Sequence, residues 1–127
     1  MLGSEQQNCV SNKSTPIVQQ HRSSRIRRLN DNFRRSFQGG RVVITTGVQA
    51  LGPVLLQEVL LTVQHYDQFA PGNDPYEEHD FGAFSLGRQR LCWKIDYYDP
   101  SMQLGSGDPS NRVETARVLT IMLVSEY

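Results

Sequence analysis

Two apolar-rich segments, FGAFSL (81–86) and QRLCWKIDYY (89–98), stand two residues apart across Gly87-Arg88. That separation predicts a β-hairpin with a two-residue turn, and it fixes a register as well as an element. With Leu86 opposite Gln89, Phe84 faces Leu91, Gly82 faces Trp93 and Phe81 faces Lys94. Leu91, Trp93 and Ile95 then share one face, and Gly82 leaves room for the indole. Carried further, the same register sets His79 opposite Asp96.

The rest of the chain is read around this hairpin. Residues 1–20 are rich in Ser, Asn and Gln and are expected to form a disordered tail, with one domain over 21–127. From Arg22, Ile26, Leu29, Phe33 and Phe37 recur at helical spacing, and Gly39-Gly40 supplies a stop. RVVITT (41–46) is β-branched and short, as a strand is. Gly47 to Gly52 is a connector or a first helical turn. Pro53 then suits the first position of a helix running to His65, with Leu56, Val59, Leu60 and Val63 buried. Phe69 seals its exit, and Pro71-Gly72 ends it. Residues 99–113 are loop. ARVLTIMLV (116–124) is too continuously apolar for an exposed strand and reads as a central strand buried on both faces, with a buried helix as the alternative. The order α-β-α-β-β-β predicts an α+β fold, a mostly antiparallel sheet of about four strands with two helices packed on one face.

A length of 127 residues is enough for one core and too little for two. No apolar run approaches the roughly 20 residues that span a bilayer, and the first twenty residues hold no signal-length apolar stretch. A cytoplasmic protein without membrane contact is expected. Cys9 and Cys92 are too few for a disulfide scaffold, and no Cys or His spacing suggests a structural zinc. Zero net charge conceals a split: residues 1–46 carry eight basic and two acidic residues, residues 47–127 five basic and eleven acidic. The halves steer partners of opposite sign or neutralise each other on one surface.

Five stretches, RLNDNFR (28–34), NDPYEEHDFGAF (73–84), WKIDYYD (93–99), SGDP (106–109) and RVLTIMLVSEY (117–127), carry a resemblance that runs from about residue 25 to 127. They resemble a family of small bacterial domains catalogued as domain of unknown function 3768. The resemblance implies no established activity. It implies proteins often encoded on plasmids and other mobile elements, mostly in alphaproteobacteria, where small proteins frequently antagonise restriction and CRISPR systems. The family's Ser-Pro-Asp-Pro-Ala-Asp-like loop near 106–111 differs here at Gly107 and Asn111.

Chemistry is concentrated in NDPYEEHD, where Asp74, Glu77, Glu78, His79 and Asp80 fall within seven residues. Oxygen-rich clusters suit hard cations, and a His beside carboxylates suits general-base work. The segment lacks the EF-hand spacing and the HExxH order. A purely structural role, with a turn at 73–75 and a His79–Asp96 pair orienting a strand end, competes with an interaction surface and with a metal or catalytic site. Trp93, Tyr97 and Tyr98 suit a recognition platform, although Trp93 reads better as core. Lys94 reads as half of a cross-strand ion pair rather than a nucleophile, and Cys92 as a buried thiol. Ser85 lacks a GxSxG elbow.

The leading expectation is a non-enzymatic interaction protein of a mobile element, of the anti-CRISPR or antirestriction type. Its surface would comprise Asp74, Tyr76, Glu77, Glu78, His79, Asp80, Asp96, Tyr98 and Asp99, competing for a basic groove in a protein complex. No metal or cofactor is expected. The first alternative is a metal-dependent hydrolase or nuclease built on His79 with nearby carboxylates. The second is nucleic-acid binding through Arg25, Arg27, Arg28, Arg34 and Arg35, residues that equally suit an acidic protein partner.

Overall fold

A computed structural model describes residues 17–127 of the chain. The elements are α1 (Ile17–Ser36), β1 (Arg41–Ile44), α2 (Thr46–Gln49), α3 (Pro53–Gln64), β2 (Phe81–Leu86), β3 (Gln89–Tyr98) and β4 (Ala116–Leu123). Short 3₁₀ turns occupy Arg112–Glu114 and Val124–Glu126. The tail predicted over 1–20 lies outside the described residues as far as residue 16. Beyond it α1 is already helical, five residues before Arg22.

The hairpin register is the one its turn requires: Leu86 pairs with Gln89, Phe84 with Leu91, Gly82 with Trp93 and Phe81 with Lys94. The last segment is a strand, and β4 runs between β3 and β1 in the sheet order β1-β4-β3-β2. It pairs antiparallel with β3 and parallel with β1, so the α+β sheet is mixed, with two of its three pairings antiparallel. A central position explains the run of apolar residues, since Leu119 and Ile121 point to one face and Val118 and Met122 to the other.

The helices cover a single face. Phe33 from α1 and Val59 and Val63 from α3 meet Leu91, Trp93, Ile95, Leu119 and Ile121 in one core. Val48 of α2 is fully buried there too, so Gly47 to Gly52 is more than a connector. Thr45 caps that turn by accepting from the Val48 amide. On the opposite face Cys92, Val118 and Met122 are buried, and the Tyr127 ring lies against Phe81.

The first helix stops at a different residue from the one expected. α1 leaves the helix at Phe37, which adopts φ 59° and whose amide bonds Phe33 O at 2.7 Å. Gly40 serves a separate need, because a Cβ there would stand 2.5 Å from Arg117 O and 2.6 Å from the Phe33 ring. α3 ends at Gln64 with His65 as its C-cap, within one residue of the expected end, and its exit is sealed as predicted by Phe69, edge-on against Tyr66 and Trp93.

Candidate functional site

The paired residues on the helix side of β3 and β4 run Leu91–Leu123, Trp93–Ile121 and Ile95–Leu119, then turn polar at Tyr97–Arg117. α1 meets that polar end with Asn30, which occupies the position on its buried stripe between Ile26 and Phe33. Arg117 Nε donates to Asn30 Oδ1 at 2.7 Å, and the guanidinium lies 5.2 Å from the Tyr97 ring centre. A second Arg117 nitrogen donates to Pro109 O. Asn30 Nδ2 in turn donates to Tyr97 Oη at 2.8 Å and to Glu78 O at 3.0 Å, and Tyr97 Oη donates to Glu78 Oε1 at 2.9 Å. Burial and the Glu78 charge hold the Tyr97 phenol far above its ordinary value. Burial pulls the Arg117 guanidinium down, with Tyr97 and Glu78 opposing it.

A second polar knot lies one turn further along α1. Arg34 is fully buried, donating to Val63 O, Tyr66 O and Asp31 Oδ1 at 3.1, 3.1 and 2.9 Å. Its guanidinium also lies over the rings of Trp93 and Phe69 at 5.2 and 5.4 Å. Burial lowers its pKa and Asp31 opposes that shift. Asp31 also lies 2.9 Å from His79 Nδ1. His79 stacks flat on Phe69, with ring centres 3.7 Å apart and planes 3° from parallel. Its amide donates to Asp74 Oδ1 at 3.0 Å, while Nε2 stands 3.6 Å from Asp74 Oδ2.

These contacts fasten the acidic loop to α1. Arg27 adds a bond to Glu77 O at 2.9 Å, and a cleft of about 340 Å³ opens between Arg27, Phe69, Pro71, Asp74, Glu77 and His79. Glu77 and His79 both adopt φ 55°, the left-handed region that costs a residue with a Cβ about 1–2 kcal/mol. That conformation ends the hairpin ladder. The last bond is Ile95 N to Asp80 O, and His79 turns to Asp31 and Asp74 instead of standing opposite Asp96.

The predicted surface residues therefore separate. Asp74 is 5% exposed and belongs to the clamp, not to the surface. Glu78 is bonded inward, and Asp80 is partly buried, its carboxyl pushed up to about 6 by burial and then by Glu78. Tyr76 and Glu77 stand out, the residue 74% exposed and the side chain 79% exposed respectively. Asp96 and Tyr98 lie on the sheet face away from the helices. There Asp96 bonds Lys94 at 3.0 Å along the same strand, so the Lys94 ion pair is not cross-strand. Asp96 holds the Lys94 ammonium above its ordinary value, and burial raises the Cys92 thiol; neither is primed as a nucleophile. Asp99 organises its own turn, accepting from Ser101, Gln103 and Leu104, and those donors, Ser101 foremost, lower its pKa. Asn111, where the resemblance led us to look for an acid, caps the Arg112–Glu114 turn by accepting from Val113 N.

Among the predicted arginines, Arg34 is interior and Arg27 is tied to the loop, whereas Arg25, Arg28 and Arg35 are exposed. Among the described residues no three His, Cys, Asp or Glu side chains converge closely enough to hold a metal ion. No described helix is long and apolar enough to cross a membrane. Sequence reasoning passed over Asn30, Asp31 and Arg117. The signal for Asn30 was a polar residue at a position on α1 where the spacing demands an apolar one.

No curated protein and no solved structure matches the chain. The model of a family described as "Protein of unknown function (DUF3768)" matches residues 44–126, from the end of β1 to the final turn, and the chain belongs to that family.

Proposed function

We propose that the protein is a non-enzymatic interaction module that presents Tyr76 and Glu77 to a basic surface of a partner protein. One observation carries this reading: the two exposed residues sit on a loop anchored to α1 by Arg27, Asn30 and the His79–Asp31 contact. A loop already fixed in its bound shape loses little conformational entropy on association. An exposed tyrosine beside an unburied carboxylate combines an anchor with a steering charge. The mobile-element company implied by the sequence resemblance supports a nucleic-acid-targeting defence complex as the target.

The test is affinity capture from host lysate in the presence of nuclease, with wild-type protein beside Tyr76→Ala and Glu77→Lys. Glu78 is unsuitable for charge reversal because it is bonded to Tyr97. Recovery of one protein complex by the wild type, lost with either variant, supports the proposal. Equal recovery by all three removes the loop from the interface.

A His79-based hydrolase is the second reading. Asp31 at Nδ1 would fix the ring tautomer, with Nε2 beside Asp74 in the wall of the cleft, the arrangement of an oriented general base. Its carboxylate set is Asp31 and Asp74 rather than Asp80, Asp96 or Asp99.

A further inference from the structure

The arginines of α1 sort by direction. Arg22 pairs with Asp108, Arg27 with Glu77 and Arg34 with Asp31. Arg25, Arg28 and Arg35 point away from all of these, and among the described residues no carboxylate lies within ion-pair distance of them. At about 100° per residue, they fall with exposed His21 and Asn32 within an arc of about 80°, centred opposite Ile26, Asn30 and Phe33. At a rise of roughly 1.5 Å per residue, the ridge from Arg25 to Arg35 is about 15 Å long.

Such a face carries a cost in the isolated protein. Like charges one turn apart repel, as at Arg25 and Arg28, and a solvated helix face normally offsets this with acidic residues three or four positions away. α1 has one acid among its twenty residues, Asp31, and it is turned inward to Arg34 and His79. Among the described residues no carboxylate is placed to offset the three arginines.

We infer that the Arg25–Arg28–Arg35 ridge is a binding surface for the phosphate backbone of a nucleic acid duplex. Charge complementarity selects a polyanion. The lack of an apolar anchor beside the arginines selects nucleic acid over protein: protein interfaces centre on buried aromatic or aliphatic residues, and among the residues whose side chains are described no exposed large hydrophobic one belongs to α1. Guanidinium groups also match phosphate geometry with paired donors, and Asn32 between them is a residue type that reaches base edges. The ridge is separate from Tyr76 and Glu77, so the two surfaces can be occupied independently.

Fluorescence anisotropy with the full chain and a labelled DNA duplex tests the inference. Three phosphate contacts give a slope near −2.7 in log K against log salt, so affinity falls about 40-fold between roughly 50 and 200 mM salt. Each of Arg25→Gln, Arg28→Gln and Arg35→Gln lowers the slope by about 1, and the triple variant abolishes binding with its circular dichroism unchanged. Arg88→Gln, on the hairpin turn, and Tyr76→Ala leave binding intact. Absence of wild-type binding at the lower salt overturns the inference. So does a correctly folded triple variant that binds like wild type, or ridge-dependent binding of polyglutamate without binding of the duplex.

Discussion

Arg117 and Asn30 are 87 residues apart in the chain and 2.7 Å apart in space, with Arg117 Nε donating to Asn30 Oδ1. The pair joins the central strand to the first helix, and both residues are almost wholly buried. A single amide thereby serves the guanidinium, the Tyr97 hydroxyl and the Glu78 carbonyl.

Replacing Asn30 with Leu fills the space but removes one partner from the buried Arg117 guanidinium and from two partly buried groups, the Tyr97 hydroxyl and the Glu78 carbonyl. A buried polar group left without its partner costs about 1–3 kcal/mol, more when it is charged, so the expected loss is about 2–4 kcal/mol. Urea denaturation of the variant measures it. A loss below about 1 kcal/mol would show that the network contributes little.

Asp80 gives a pH dependence of known sign. Its carboxyl is pushed from 3.8 up to about 6 in the folded chain, so the folded state holds a proton that the unfolded state releases. The contribution of this residue is therefore most favourable below pH 4 and is lost as pH rises toward 6 and beyond. Asp80→Asn should raise stability at pH 7 by about 1–2 kcal/mol, the shift being discounted for partial solvent access. The gain should shrink toward zero at pH 4. Thermal melts of both proteins across that range decide it, and a variant less stable than wild type at pH 7 refutes the assignment.

Gly82 is required by the indole opposite it. A Cβ there would lie 2.5 Å from Trp93 Nε1 and 2.7 Å from the Tyr66 ring, whereas one at Gly107 would meet nothing within 4 Å. Gly82→Ala should cost about 2–3 kcal/mol through overpacking, and Gly107→Ala should stay within about 0.5 kcal/mol of wild type. Comparable effects at both positions would remove steric crowding as the reason for Gly82.

His79 distinguishes a latch from a catalyst. As a latch between α1 and the loop, His79→Ala should speed amide exchange across residues 71–80 and lower stability by about 1–3 kcal/mol. Millimolar Mg²⁺, Mn²⁺, Ca²⁺ or Zn²⁺ should leave the wild-type melting temperature unchanged. A rise of several degrees that vanishes in His79→Ala would instead favour the metal-dependent reading.

The sequence was most legible where one physical rule acts alone. A two-residue turn dictates register, and the pairing from Phe81–Lys94 to Leu86–Gln89 follows from it directly. The extrapolation to His79 and Asp96 failed because the ladder does not continue through a residue at φ 55°. The identity of His79 does not announce that conformation. Arg34 was grouped with the arginines offered to nucleic acid, yet it is fully buried. Only the fold reveals that the α3 carbonyls of Val63 and the adjoining Tyr66 wait there for a donor. The run around 116–124 was legible as a central strand from its apolar residues, yet the same run concealed Arg117, whose partners come from two distant segments. Candidate site residues fared accordingly: the division of NDPYEEHD into anchored and exposed members depends on α1 and is not written in the segment itself.

The parallel pairing of β1 with β4 has a consequence for the order of events in synthesis. Arg41 and its partner Val118 are separated by 77 residues, the widest strand-to-strand separation in the sheet. Such contacts close late, after the chain entropy of the intervening loop has been lost. As the protein emerges from a ribosome, α3 and the β2–β3 hairpin can form from what has already been made. The Val42-Val43-Ile44 segment then remains an unpaired apolar edge until β4 arrives, and Asn30 has no guanidinium to receive. A single late strand thus completes the sheet and locks the first helix in the same step, so the nascent domain stays exposed to misassociation until almost all of it has been translated.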